Sequence, residues 1–283
     1  MRVVVVGDVL LDRDVDGAST RQVPDSQAPV IDVTRAVHRA GGAGLVAHLL
    51  AADGHDVTLV TALSDDGASH ELRRQLSDVH VVPGFLDAPT PVKTRVLRDG
   101  AVVARVDEGC GSAPLPRVTP AMLSAVQTAD ALVVADYGRG MAAIDLLRTA
   151  ITQATTRIPV IWDPHPRGPA PVPGVTAVTP NRLEAAQLAG VGHDEPGRAA
   201  RKLRADWRAR NVVVTLGEEG AWLQWGPNIE DGRRIPASAV AAADACGAGD
   251  RFAAALAGAL TTDPDLPRAV FDAVAVTGRF LAE

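Results

Sequence analysis

Aromatic side chains are scarce: Trp, Tyr and Phe together make up 3% of the 283 residues. The core must therefore be built from Ala, Val and Leu within an apolar fraction of 47%, which suits helices packed closely on a sheet. Cysteine is scarcer still. Cys110 and Cys246 are the only two, too few and too far apart for a zinc cluster or a disulfide framework, and both are expected as reduced thiols. No apolar run approaches the roughly eighteen residues of a membrane span. The run of valines at 3–6 meets Asp8 and Asp12 too soon for a signal peptide, so the expected location is the cytoplasm. A basic excess is also missing. The formal charge of −6 argues against nucleic acid or an anionic membrane as partner.

What the chain does have is rhythm. Short β-branched runs recur at 3–6, 57–61, 131–135, 160–162, 177–179 and 212–215. Stretches with helical spacing lie between them at 44–52, 69–76, 120–128, 144–155 and 182–188. The alternation predicts one doubly wound α/β domain over 1–283, with ligands outside the carboxyl ends of the strands. Segments 14–33 and 90–107 break the rhythm as extended polar–apolar chain. They are expected to form a small β lid over the active edge. The proline-rich stretch 164–173 reads as an ordered loop.

Five motifs can carry chemistry. Asp244-Ala-Cys-Gly-Ala-Gly-Asp250 is a glycine-rich turn running into a small-residue helix. The amides of Gly247, Ala248 and Gly249 can receive a phosphate there, and Asp250 can take a proton; a tight loop with a helix cap is the plainer alternative. The first strand leads into Gly7-Asp8-Val-Leu-Leu-Asp12, two carboxylates that suit a polyol or brace a turn. Gly41 and Gly42 open a helix and allow close approach to the backbone. Asn181 and Glu184 share one helical face, as water-mediated magnesium ligands or as a capping box. Thr215-Leu-Gly217-Glu-Glu-Gly220 reads as strand, glycine turn and strand, which admits a nucleotide or is a simple hairpin.

Together and in this order these pieces resemble the ribokinase-like, pfkB-type carbohydrate kinases along nearly the whole chain. The resemblance implies a ribokinase-like doubly wound sheet with a small lid, ATP and Mg²⁺ as cofactors, and a sugar or sugar phosphate as partner. Asp250 would be the base and Gly247, Ala248 and Gly249 the anion site. Asn181, Glu184, Thr215, Gly217 and Gly220 would serve the nucleotide and metal; Asp8, Asp12, Gly41, Gly42, Lys93, Arg95 and Asp136 would serve the acceptor. Within the family, Gly7-Asp8-Val-Leu-Leu-Asp12-Arg13, Pro89-Thr-Pro-Val-Lys93-Thr-Arg95, Asp136-Tyr-Gly-Arg-Gly140 and Asp163-Pro164 are similar to kinases acting on the anomeric hydroxyl of D-glycero-D-manno-heptose 7-phosphate. Lys93 and Arg95 alternate on one strand face and suit a sugar phosphate.

Two departures stand out. Leu45 replaces an Asn expected to touch the sugar, and Arg251 follows the base, where it could pair with a phosphate or lower the pKa of Asp250. The chain runs to Glu283, leaving no room for the nucleotidyltransferase domain of bifunctional relatives, so adenylylation is not expected. A kinase for another sugar, sugar phosphate or nucleoside, or a non-catalytic sugar- or nucleotide-binding regulator, are the competing readings. A dehydrogenase is remote, because Gly7 is followed by Asp8-Val-Leu rather than a glycine fingerprint. An exposed lid edge would also permit a homodimer.

Overall fold

The computed structural model describes residues 1–238 and 246–282. The chain opens with β1 (Arg2–Gly7), β2 (Val9–Gln22), β3 (Pro29–Gly42), α1 (Ala43–Ala52), β4 (Asp56–Leu63), α2 (Gly67–Gln75) and β5 (His80–Phe85). It continues through β6 (Val92–Arg98), β7 (Ala101–Glu108), α3 (Pro120–Gln127), β8 (Ala131–Ala135), α4 (Asp145–Ala154), β9 (Val160–Asp163), β10 (Ala177–Val178) and α5 (Arg182–Ala189). The last part holds α6 (Pro196–Trp207), β11 (Val212–Thr215), β12 (Ala221–Gln224), β13 (Gly232–Ile235), α7 (Ala248–Thr262) and α8 (Leu266–Ala282).

Nine strands form the central sheet in the order β13-β12-β11-β10-β9-β8-β1-β4-β5. All neighbours run parallel except β11-β12-β13, which are antiparallel. Strand β1 shows why the sheet is sandwiched. Val3, Val4, Val5 and Val6 are all fully buried, and their alternation sends Val3 and Val5 to one core and Val4 and Val6 to the other. The first core is shared with α1, α2, α7 and α8, the second with α3, α4, α5 and α6. The alanines of α7 allow close approach to the sheet, so few large rings are needed; Trp162 is the largest fully buried side chain.

Every strand and helix expected from the rhythm is present. The differences lie at the edges. Strand β5 pairs with β4 although Pro83 and Gly84 interrupt its pattern, which an edge strand tolerates. The second sheet, ordered β3-β2-β6-β7, is larger than expected: β2 begins at Val9 and β3 continues to Gly42. Asp12 and Gly41 therefore belong to this small sheet rather than to a loop past the first strand.

Candidate active site

Residues at or just beyond the ends of β8, β9, β10 and β11 line one cavity of about 190 Å³: Asp136, Tyr137, Asp163, Thr179, Asn181 and Thr215. The first turn of α7 closes it with Gly247, Ala248, Gly249 and Asp250. That turn works because Gly247 sits at φ +81°, a left-handed conformation that glycine adopts without strain. The amides of the first helical turn lack partners within the helix and carry its positive pole. Asp244, at the head of the same motif, lies outside the described residues.

A second cavity, also about 190 Å³, shares Thr215, Ala248 and Gly249 with the first. Its lining is mostly apolar, with Phe252, Val274, Thr277 and Leu281 facing Gly217 and Gly220. An acidic chamber and an apolar chamber thus meet at the glycine turn. The second wall is a hairpin, β11 to β12, as the glycine spacing allows. Gly220 is a glycine for a packing reason: at φ +91°, a Cβ would stand 2.1 Å from the Ile235 carbonyl oxygen. Gly217, at φ +63°, faces nothing within 4 Å.

The acidic chamber is electrostatically loaded. Burial pushes Asp250 up to about 7, opposed by the hydrogen bond that the Tyr137 hydroxyl donates to Oδ1 at 2.5 Å. Asp12 and Glu184 raise it further and Lys93 lowers it. Asp163 accepts from Thr179 Oγ1 at 2.8 Å, yet burial and the nearby charge of Asp250 hold it well above the carboxylate range. Burial also pushes Asp136 up to about 7; its Oδ1 accepts from the Gly138 amide at 2.8 Å, and Oδ2 packs against Gly168, where no Cβ would fit. Asn181 and Glu184 form the capping box of α5, with amide-to-side-chain bonds of 2.9 Å in both directions. Burial nonetheless raises Glu184, and both residues line the chamber.

The small sheet brings further candidates together. Asp12 stands opposite Arg39 on β3 and Lys93 on β6, and Gly41 leaves room for its carboxylate: a Cβ there would lie 2.2 Å from Oδ2. Burial raises Asp12, against the opposing charges of Lys93, Arg39 and Arg95. Lys93 Nζ lies 5.7 Å from the Tyr137 ring centroid. Gly42, at φ +63°, turns the chain into α1 close to the Asp8 carbonyl.

Three of the residues singled out in the sequence have partners within the fold. Asp8 is 5% exposed and accepts from the amides of Tyr137, Arg139 and Met141 at 3.3, 3.0 and 3.0 Å. It braces the loop after β8, and those three donors compensate the burial of its carboxylate. Arg251 turns away from the turn and forks onto Asp53, Nη1 to Oδ2 at 2.6 Å and Nη2 to Oδ1 at 2.9 Å. Its guanidinium is thus engaged by the residue following α1 rather than by the glycine turn. Arg95, expected beside a sugar phosphate, forks onto Asp14 at 2.8 and 2.9 Å, and Arg39 joins the same carboxylate at 2.5 Å. Leu45 packs under the turn, with Cδ2 3.0 Å from where a Cβ on Gly247 would be. Sequence reasoning gave no role to Tyr137, although it is the only tyrosine.

Residues 1–278 match the model of the pfkB family carbohydrate kinases. The chain is 42% identical to the bifunctional protein HldE of Streptomyces coelicolor across 99% of this chain and 60% of that protein. It is 34% identical to the D-beta-D-heptose 7-phosphate kinase of Bordetella bronchiseptica across 90% of this chain and 83% of that protein. The chain thus spans about 60% of the length of the HldE relative. Among solved structures, Arabidopsis thaliana ribokinase complexed with ribose and ATP has a TM-score of 0.76 at 19% identity, covering 99% of this chain and 92% of that one. Phosphofructokinase-2 from Escherichia coli, in complex with substrates and products, has a TM-score of 0.73 at 19% identity over 99% of this chain and 92% of its own. At such identity these two speak for a ribokinase-like fold, and with the match over 1–278 the chain belongs to the pfkB family of carbohydrate kinases.

Proposed function

We propose that this chain is an ATP-dependent sugar kinase acting on the anomeric hydroxyl of D-glycero-D-manno-heptose 7-phosphate. One observation carries the reading: Asp250 stands on the first turn of α7, the wall common to an apolar and an acidic chamber. The apolar chamber suits adenosine, with Thr215, Gly217 and Gly220 beside it. The acidic chamber suits a polyol. In the transfer, the acceptor oxygen bonds to the γ-phosphorus while its proton passes to Asp250. The bond from the γ-phosphorus to the bridging oxygen breaks, and ADP leaves. The Gly247, Ala248 and Gly249 amides stabilise the charge on the moving phosphoryl group. A carboxyl raised to about 7 is a well-matched base near neutral pH.

Asp12 and Asp136 would accept hydrogen bonds from acceptor hydroxyls, with Gly41 and Gly42 allowing close approach. Lys93 would meet the acceptor's own phosphate, with Arg95 holding the sheet beside it through Asp14. Among the described residues no group of three His, Cys, Asp or Glu side chains could hold a metal. The hard oxygen donors of Asn181 and Glu184 suit Mg²⁺ held on the ATP phosphates and touched through water, where it would neutralise phosphate charge. The heptose assignment rests on the names of the HldE and heptose kinase relatives. Leu45 favours a second reading, another sugar phosphate, because an apolar side chain fills a position expected to contact the sugar.

The four-stranded sheet, with β2, β3, β6 and β7, would act as the lid of a single domain. Strand β7 is exposed throughout, with Val102 56% and Val106 47% exposed, which supports pairing of two lids in a homodimer. Sedimentation showing a monomer at working concentration would remove that part. Among the described residues no helix is long and apolar enough to cross a membrane; a cytoplasmic location, where ATP is abundant, accords with the reading. The test is kcat/KM with Mg-ATP against the heptose 7-phosphate, fructose 6-phosphate, ribose and adenosine. Preference for the heptose phosphate is expected. Preference for another acceptor overturns the substrate, and no turnover with any overturns the kinase.

A further inference from the structure

Tyr137 occupies a junction that the transfer chemistry does not by itself require. It follows β8, its backbone amide is held by the buried Asp8, and its hydroxyl reaches across to α7 to donate to Asp250 Oδ1 at 2.5 Å. On its other side the ring lies under the ammonium of Lys93, which comes from β6 of the small sheet, 5.7 Å from the centroid. One ring therefore touches a cation of the lid and the carboxylate of the helix.

We propose that Tyr137 is a positioning residue for Asp250: its hydroxyl fixes the carboxylate through Oδ1, so that Oδ2 is the oxygen that takes the acceptor's proton. This deepens the kinase reading and rests on it. Burial and the Asp250 charge raise the phenol well above its ordinary range, so Tyr137 remains a donor throughout the working pH range. Donation to the ionised carboxylate favours that form, and so offsets part of the burial that raises Asp250. The other groups acting on this carboxylate are Asp12 from β2, Lys93 from β6 and Glu184 from α5, with Asp163 of β9 coupled to it. Asp12 and Glu184 push its pKa up and Lys93 pushes it down, leaving Tyr137 as the neutral donor that sets its orientation. Lys93 holds the ring in place by cation–π attraction.

The test uses Tyr137→Phe, which keeps the ring and its contact with Lys93 and removes only the hydroxyl. Losing a donor to the ionised form moves the acid limb of the kcat/KM profile up by about one pH unit. Loss of orientation lowers the plateau kcat about tenfold, while the KM for ATP stays within about twofold. A profile superimposable on wild type contradicts the proposal. A second readout needs no turnover. Because the chain has one tyrosine, protein labelled with ¹³C at the tyrosine ζ carbon gives a single resonance. That resonance is expected to step with a midpoint near pH 7 and to lose the step in Asp250→Asn. A flat resonance, or a step whose size Asp250→Asn leaves unchanged, overturns the pairing; a smaller residual step reports the neighbouring Asp136, also raised to about 7, and leaves the lost part as the Asp250 contribution that supports it. If wild type phosphorylates none of the acceptors, the kinase reading fails, and the resonance still decides whether the two side chains are coupled.

Discussion

Asp250→Asn should abolish transfer and yet make the protein more stable. The carboxyl rises from its ordinary 3.8 to about 7 chiefly through burial, so the folded state binds a proton that the unfolded state has released. The sign follows from proton binding: between those two values the folded chain holds more protons, and its stability falls as pH rises. At 1.36 kcal/mol per unit, ionised Asp250 costs the fold roughly 4 kcal/mol above pH 7, as an upper bound. Asn is nearly isosteric, keeps an oxygen for the Tyr137 hydroxyl and has nothing to ionise. Removing the charge also relieves Asp163, which Asp250 raises. The variant should therefore gain over wild type, with the gain growing by about 2–3 kcal/mol between pH 5 and pH 8. Urea unfolding of both proteins at the two pH values measures it directly. A gap that is the same at both pH values would refute the electrostatic reasoning, whatever the activity.

Other substitutions separate structural from chemical roles. Arg251→Ala leaves Asp53 without its fork and should cost about 2–3 kcal/mol in urea unfolding, less than a fully buried pair because Asp53 is partly exposed. The acid limb of the pH–rate profile should stay in place; a shift of that limb would show that Arg251 does act on Asp250. Within the β11–β12 hairpin, Gly220→Ala should cost roughly 3 kcal/mol, from positive φ and collision with the Ile235 carbonyl. Gly217→Ala, strained but unobstructed, should cost about 1 kcal/mol, and equal losses at the two sites would contradict the packing argument. Asp8→Asn puts an amide group where three backbone donors converge and should cost about 2 kcal/mol by thermal or chemical unfolding. A wild-type unfolding curve combined with a raised KM for the acceptor would contradict the bracing role and support Asp8 as a sugar ligand.

The layered α/β fold is legible in the sequence because buried parallel strands read as short unbroken apolar runs, as the valines at 3–6, with stretches of helical spacing recurring between many of them. The small sheet is visible as polar–apolar alternation over 14–33 and 90–107, but its true extent is hidden, since 9–13 follows β1 after a single residue and 34–42 runs directly into α1. Strand β5 is obscured by Pro83 and Gly84. At the site, the glycine turn and Asp250 can be read locally. The partners of the other side chains cannot: Asp8 is braced from residues 137–141, Tyr137 reaches Asp250 across 113 positions, and Arg251 meets Asp53 across 198. Local spacing could not separate the capping role of Asn181 and Glu184 from a ligand role; the fold shows the pair capping α5 and lining the acidic chamber.

The most direct test of the central claim is ³¹P NMR of the product formed from Mg-ATP and D-glycero-D-manno-heptose 7-phosphate, with wild type and Asp250→Asn side by side. A second phosphate signal coupled to the anomeric proton, appearing with wild type and absent with the folded variant, is the predicted result. The same signal at an undiminished rate with Asp250→Asn, or its absence with wild type, would contradict the account.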